Sequence, residues 1–167
     1  EPGSALHIHL SLGRTGSGEN IFVDGKGQPP EAFMTDIAGL QHYPPELISF
    51  YAPPVNSYRR LAPGIAAPIT LNRGLDNRTT AFRVPHSTAA ATRVENRFPG
   101  ADVNPYLAFA ATLASGYLGM QRKLKPTPPH QGTANEDDVE VARTLEEGLR
   151  HLRDSPEVQD IFGELFL

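Results

Sequence analysis

Leu6, Ile8 and Leu10 alternate with Ala5, His7, His9 and Ser11 near the start of the chain, the two-residue period of a half-buried strand over residues 4–12. The same period turns His7 and His9 to one side. Residues 93–98 repeat it, with Arg93, Glu95 and Arg97 in one row and Val94, Asn96 and Phe98 in the other. Over residues 79–84, Phe82 and Val84 share one face, and Ala81 and Arg83 the opposite one. Residues 65–72 and 21–23 are further strand candidates. Helical spacing governs elsewhere. Phe33, Ile37 and Leu40 mark a helix over 31–43, broken by Pro44-Pro45. A short helix starts near Pro45, carries Leu47, Ile48, Phe50 and Tyr51, and stops at Pro53-Pro54. Asn104-Pro105 supplies an N-cap and a first-turn proline for a helix to about Lys123. Its body, YLAFAATLASGYLGM, is apolar on nearly all sides and predicts a buried helix. Residues 138–153 are amphipathic, with Val141, Leu145, Leu149 and Leu152 on one face. Ser155-Pro156-Glu157 opens a last helix carrying Val158, Ile161, Phe162 and Leu165. Residues 13–30, 56–64 and 126–135 read as loops, and 85–92 as a small-residue linker.

Composition narrows the class. A chain of 167 residues suits one domain with a real core, and 39% hydrophobic with 20% charged residues suits a folded one. The absence of cysteine excludes disulfides, thiolate metal sites and a cysteine nucleophile. No apolar run is long enough to span a bilayer, so no membrane partner is expected. The chain begins at Glu1-Pro2-Gly3 without an initiator Met and ends on Leu165-Phe166-Leu167 without a helix stop signal. A piece of a longer protein is therefore expected.

Charge is where the pattern becomes chemically specific. Residues 56–106 hold seven arginines (Arg59, Arg60, Arg73, Arg78, Arg83, Arg93 and Arg97) and no lysine, inside a chain of formal net charge -4. A pI of about 5.8 argues against a general nucleic-acid binder. Local basicity within an acidic chain points to a small anionic ligand, because the guanidinium fork matches carboxylate and phosphate oxygens two at a time. Two readings stand side by side: a solvated sheet face laced with Arg–Glu pairs, which contribute little energy, or the wall of a cavity for an anionic substrate. His7-x-His9 likewise reads either as two satisfied or exposed histidines or as a metal or phosphate contact. With no cysteine and no second histidine pair, zinc is disfavoured. Neither a Walker-type loop nor G-x-S-x-G is present.

Gly3-Ser4-x-x-His7-x-His9, NSYRRL with Pro63-Gly64, Asn77-Arg78 with Phe82-Arg83-Val84-Pro85, Arg93-Val94-Glu95-Asn96-Arg97 and NPYLAFAA occur in this order. Together they resemble the C-terminal part of the glutamine synthetase superfamily over most of the chain. GLQHY, DNRT, FRVPHS and GYLGM resemble its γ-glutamylpolyamine branch. The resemblance implies an α+β fold, a curved antiparallel sheet backed by helices, with residues 1–167 as the C-terminal portion of a catalytic domain. It implies an ATP-dependent, ADP-forming ligase that joins glutamate to putrescine or another amine. Glutamine synthetase itself and a non-catalytic relative of the same fold are the alternatives.

By that resemblance His7 and Glu95 would ligate Mg2+ or Mn2+, and His9, Arg78, Arg83 and Arg93 would serve ATP. Arg60, Arg97 and the Gly3 backbone would hold glutamate, and Arg60 and Arg78 would act in catalysis. A cytoplasmic enzyme forming a homo-oligomeric ring is implied in the same way. Three positions depart from the family pattern: Pro2 replaces an Asn, Ala90 falls where a nucleotide-binding Lys is frequent, and Ala66 replaces a catalytic Glu. The family's other acidic metal ligands would lie upstream of Glu1.

Overall fold

A computed structural model describes residues 4–25, 29–134 and 140–163. Its centre is a sheet of four strands: β1 (Ile8–Leu10), β2 (Arg73–Leu75), β3 (Phe82–Val84) and β4 (Val94–Asn96), in the order β1-β4-β3-β2. Helices back it: α1 (Glu31–His42), α2 (Pro44–Tyr51), α3 (Pro105–Arg122), α4 (Leu145–Arg153) and α5 (Pro156–Phe162). This is the expected α+β arrangement of a sheet backed by helices. The sheet is mixed, however. β4 pairs antiparallel with β1 and β3, but β2 runs parallel to β3. Parallel neighbours ordinarily need a long crossover. Here each strand is only three residues long, so residues 76–81 suffice to return the chain. Asp76 makes the corner in the left-handed region, φ 50°, which Asp tolerates, and its N–H donates to the Val84 carbonyl at 2.8 Å.

β4 decides what each sheet face becomes. Val94, Asn96 and Phe98 look toward the helices. Asn96 Nδ2 donates to Thr112 Oγ1 of α3 at 3.1 Å, and Phe98 stacks on Tyr51 of α2 and meets Phe82 edge-on. Ile8, Phe82, Val94 and Phe98 thereby join α1, α2 and α3 in one apolar core. Gly39 of α1 and Gly119 of α3 let those two helices cross at backbone distance. A Cβ on Gly39 would overlap the Ser115 carbonyl, and one on Gly119 would overlap the Thr35 carbonyl.

Several expected elements differ. Residues 65–72 form no strand. Pro68 lacks an N–H for a ladder, and this backbone is tied down by side chains instead: Leu71 N–H donates to Glu140 Oε2 at 2.6 Å, and Gln41 Nε2 donates to the Leu71 carbonyl at 2.9 Å. Residues 21–23 are a turn region that seats Phe22 on Phe33 of α1, centroids 4.8 Å apart. Where a loop is expected over residues 56–64, Val55–Arg60 winds into a 3-10 helix. α4 starts at Leu145, seven residues after the expected Asp138, and residues 138 and 139 lie outside the described ones. Thr144 explains the start, since its side chain accepts from Glu147 N–H at 3.1 Å while Glu147 Oε2 accepts from Arg143 N–H at 2.9 Å. α3 is not buried all round: Tyr106, Phe109, Leu113 and Tyr117 face outward along one stripe, opposite the side that packs on α1 and α2. No helix among the described residues is long and apolar enough to cross a membrane.

Candidate active site

The register of β4 assembles the site. Glu95 lies opposite His9 on β1 and opposite Arg83 on β3, so one row runs His9, Glu95, Arg83 across the face turned from the core. In the next row His7 approaches Arg97, with 3.4 Å between His7 Nδ1 and Arg97 Nη1. This face is no solvated lattice of surface pairs. Glu95 is 3% exposed and Arg97 9%, so the charges are withdrawn from water and need one another.

Glu95 is the hub. Its Oε2 accepts from Arg83 Nη1 at 2.8 Å, and its Oε1 accepts from Arg97 Nη1 at 3.0 Å and lies 2.9 Å from His7 Nδ1. Burial alone would raise this carboxyl. The Arg83 hydrogen bond and the charges of Arg97, His7 and Arg83 outweigh burial and hold it below the usual carboxylate range. Burial, then the Arg97 charge, lowers His7 against the opposing pull of Glu95. A neutral His7 with its proton on Nδ1 facing Glu95 leaves Nε2 with a free lone pair. Arg93 Nε donates to His9 Nδ1 at 3.1 Å, which puts the His9 proton on Nε2.

Arg83 is held from both sides, because its Nε (3.1 Å) and Nη2 also donate to Asp76 Oδ1. Arg78 stands exposed between β2 and β3, near enough for its charge to act on Asp76. On the other flank, Arg60 is 7% exposed and Nη2 donates to the Phe98 carbonyl. Asp102 lies close enough to support the Arg60 charge against the burial that lowers it, and accepts from Ser57 at 2.5 Å. Arg60 Nη1 and Arg97 Nε are buried without a hydrogen-bond partner among the described residues. Both residues line a cavity of about 200 Å3 together with Ala5, His7, Ile65, Ala66 and Ala67. A buried guanidinium N–H left unpaired is costly, and carboxylate oxygens are its natural complement.

The structure thus brings together His7, His9, Arg60, Arg83, Arg93, Glu95 and Arg97. Arg78 lies at the rim, and Gly3 lies outside the described residues. Asp76, Ser57 and Asp102 were missed as site residues. Asp76-Asn77 carries only a turn signal in the sequence, and nothing local in Ser57 or Asp102 announces that they meet beside Arg60. As a metal centre, Glu95 and His7 supply one carboxylate and one imidazole in contact, a donor pair that suits Mn2+ and, less well, Mg2+. Among the described residues no third such side chain joins them, so the pair fits as part of a site.

Comparison with known proteins settles the ancestry. The glutamine synthetase catalytic-domain profile matches residues 1–167. The chain belongs to the glutamine synthetase family. A glutamate–isopropylamine ligase from Pseudomonas is 39% identical over 99% of this chain and 37% of that protein. Glutamine synthetase from Thermus thermophilus is 37% identical over 97% of the chain and 38% of its own length. A gamma-glutamylethanolamide synthetase from Streptomyces coelicolor is 38% identical over 97% of the chain and 35% of its length. The chain therefore spans well under half the length of each of these three relatives.

Proposed function

We propose that this chain carries the glutamate- and phosphate-facing wall of an ATP-dependent glutamate–amine ligase. The supporting observation is the pair of buried guanidinium nitrogens, Arg60 Nη1 and Arg97 Nε, that have no partner among the described residues and sit on residues lining one small cavity. Arg60 and Arg97 hold the carboxylates of glutamate there. The glutamate γ-carboxylate oxygen attacks the γ-phosphorus of ATP and ADP leaves. The amine nitrogen then attacks the acyl carbon, phosphate leaves and the nitrogen loses a proton. Charge moves among anionic oxygens throughout, so fixed cations provide most of the help. Arg78, Arg83 and Arg93 supply them toward the phosphates, and His9 offers its Nε2–H as a hydrogen-bond donor. Glu95 and His7 would help hold a divalent cation, Mg2+ or Mn2+, which when bound neutralises phosphate oxygens. A cytoplasmic homo-oligomeric ring and the remaining metal ligands belong to the full-length protein in this reading.

The direct test is calorimetric titration of full-length protein with glutamate in the presence of an ATP analogue. Glutamate binding is expected in the wild type. Its retention at undiminished affinity after Arg60→Ala and Arg97→Ala would refute the clamp. A non-catalytic relative would bind neither ATP nor glutamate.

The amine is read from Ala66. An enzyme using ammonia gains from a carboxylate that captures ammonium and takes its proton. Among the described residues no acid lines the cavity, and Ala5, Ile65, Ala66 and Ala67 leave an apolar wall. An amine with a carbon skeleton fits that wall better. Putrescine is the amine suggested by the sequence motifs, and the matched isopropylamine and ethanolamide enzymes support the same broader class. Side-by-side assays with ammonium, putrescine, spermidine, isopropylamine and ethanolamine should show an organic amine favoured over ammonium by at least about tenfold in kcat/KM, which requires ~1.4 kcal/mol. Ammonium as the best substrate would replace this reading with glutamine synthetase.

A further inference from the structure

We infer that Asp76 is a positioning residue that holds Arg83 to a one-nitrogen contact with Glu95 and so keeps Glu95 available to a divalent cation. The inference rests on the reading of Glu95 as a metal ligand. A guanidinium can offer a carboxylate two parallel N–H groups and engage both its oxygens. Arg83 does not do so with Glu95. Nε and Nη2, one complete edge of the fork, go to Asp76 Oδ1, and only Nη1 reaches Glu95, at Oε2. The other oxygen, Oε1, faces His7 and Arg97.

The backbone fixes this division. Asp76 occupies the left-handed corner after β2, with its N–H bound to the Val84 carbonyl. Asn77 secures the next step, its Oδ1 accepting from Thr79 N–H at 3.0 Å and its Nδ2 donating to the Gly132 carbonyl at 2.8 Å. Arg83 therefore stands between two carboxylates, one just past the end of β2 and one in the middle of β4, that cannot both claim the same edge. Without the Asp76 charge, the freed edge turns to Glu95. Arg83 then covers both carboxylate oxygens and competes directly with a cation for them.

The test is Mn2+ titration of the full-length protein, following free Mn2+ by its paramagnetic resonance signal, without substrates. Asp76→Asn keeps the shape and tolerates the left-handed corner, and is expected to weaken Mn2+ binding about tenfold, the scale of outer-shell losses. Asp76→Glu, which restores the charge, should recover most of that loss. Adding Arg83→Met to Asp76→Asn should also recover it, because the competitor is gone, whereas a merely structural corner would not be rescued this way. Unchanged Mn2+ affinity in Asp76→Asn, or failure of both rescues, would overturn the inference. Glu95→Gln separates the two levels. If Glu95→Gln abolishes binding of one Mn2+ while Asp76→Asn does not weaken it, only the role of Asp76 fails. If Glu95→Gln leaves Mn2+ binding intact, the metal reading of Glu95 fails and this inference with it.

Discussion

Two carboxylates buried to nearly the same depth sit on opposite sides of this fold and behave in opposite ways. Glu95, on the open face of the sheet, is 3% exposed and surrounded by Arg83, Arg97 and His7. Asp36, on α1 against Gly116 of α3, is 1% exposed, and its Oδ2 has no partner among the described residues. Burial drives the Asp36 carboxyl up to about 7, whereas the cations around Glu95 overcome burial and hold it down. Depth alone therefore does not decide ionisation here; the company a carboxylate keeps does. The site face keeps its charge because it is built of charge. The helix crossing tolerates an acid only by neutralising it.

Exchange of acid for amide should separate the two most sharply. Asp36 has a folded pKa above its unfolded one, so its contribution favours folding below about pH 4 and is lost as pH rises to about 7. Asp36→Asn removes that loss and is expected to stabilise the full-length protein at pH 8 by up to about 4 kcal/mol relative to its effect at pH 4, the linkage of a shift of roughly three units. Thermal unfolding across pH 4–8 measures it, and parallel wild-type and mutant profiles would erase the contrast. Glu95→Gln should act in the other direction. It leaves Arg83 and Arg97 buried against a neutral amide and is expected to cost about 3 kcal/mol, read as a lower unfolding temperature near pH 7. Equal signs for the two exchanges would break the comparison.

A smaller effect sharpens the site side. Arg97→Lys keeps the charge but loses the fork, and should raise the glutamate KM of the full-length enzyme about thirtyfold, on the scale of a lost charge-assisted hydrogen bond. Arg143→Lys, outside the site, serves as the control and should leave it within about twofold. Equal changes at both positions would place the glutamate clamp elsewhere.

Much of the site was legible because a strand's alternation is legible. Arg93, Glu95 and Arg97 had to share a face, as did His7 with His9, and the ordered motifs named the family that the profile match bears out. What stayed hidden depends on pairing rather than on period. No pattern in residues 73–75 tells that they run parallel to β3, or that Asp76 thereby reaches Arg83. The all-round apolarity of α3 could not tell which side meets α1 and which is left outward at Tyr106, Phe109, Leu113 and Tyr117. Asp36 was invisible because an isolated acid within a helical pattern ordinarily marks the solvent side. Here Gly116 makes room for it inside.

The pairing of β1 with β4 also sets a schedule for folding. Ile8 finds Asn96, and His9 finds Glu95, across slightly more than half the chain, whereas β3 lies only a short linker away from β4. Closing so long a loop costs chain entropy before any contact rewards it. The β3–β4 pair can form while β1 is still unattached. The histidine row then docks onto an arginine–carboxylate row already in place. Substitutions in β1, such as Ile8→Val, should accordingly speed unfolding while leaving the refolding rate nearly unchanged. The imidazoles would be the last pieces of the site to arrive and the first to leave.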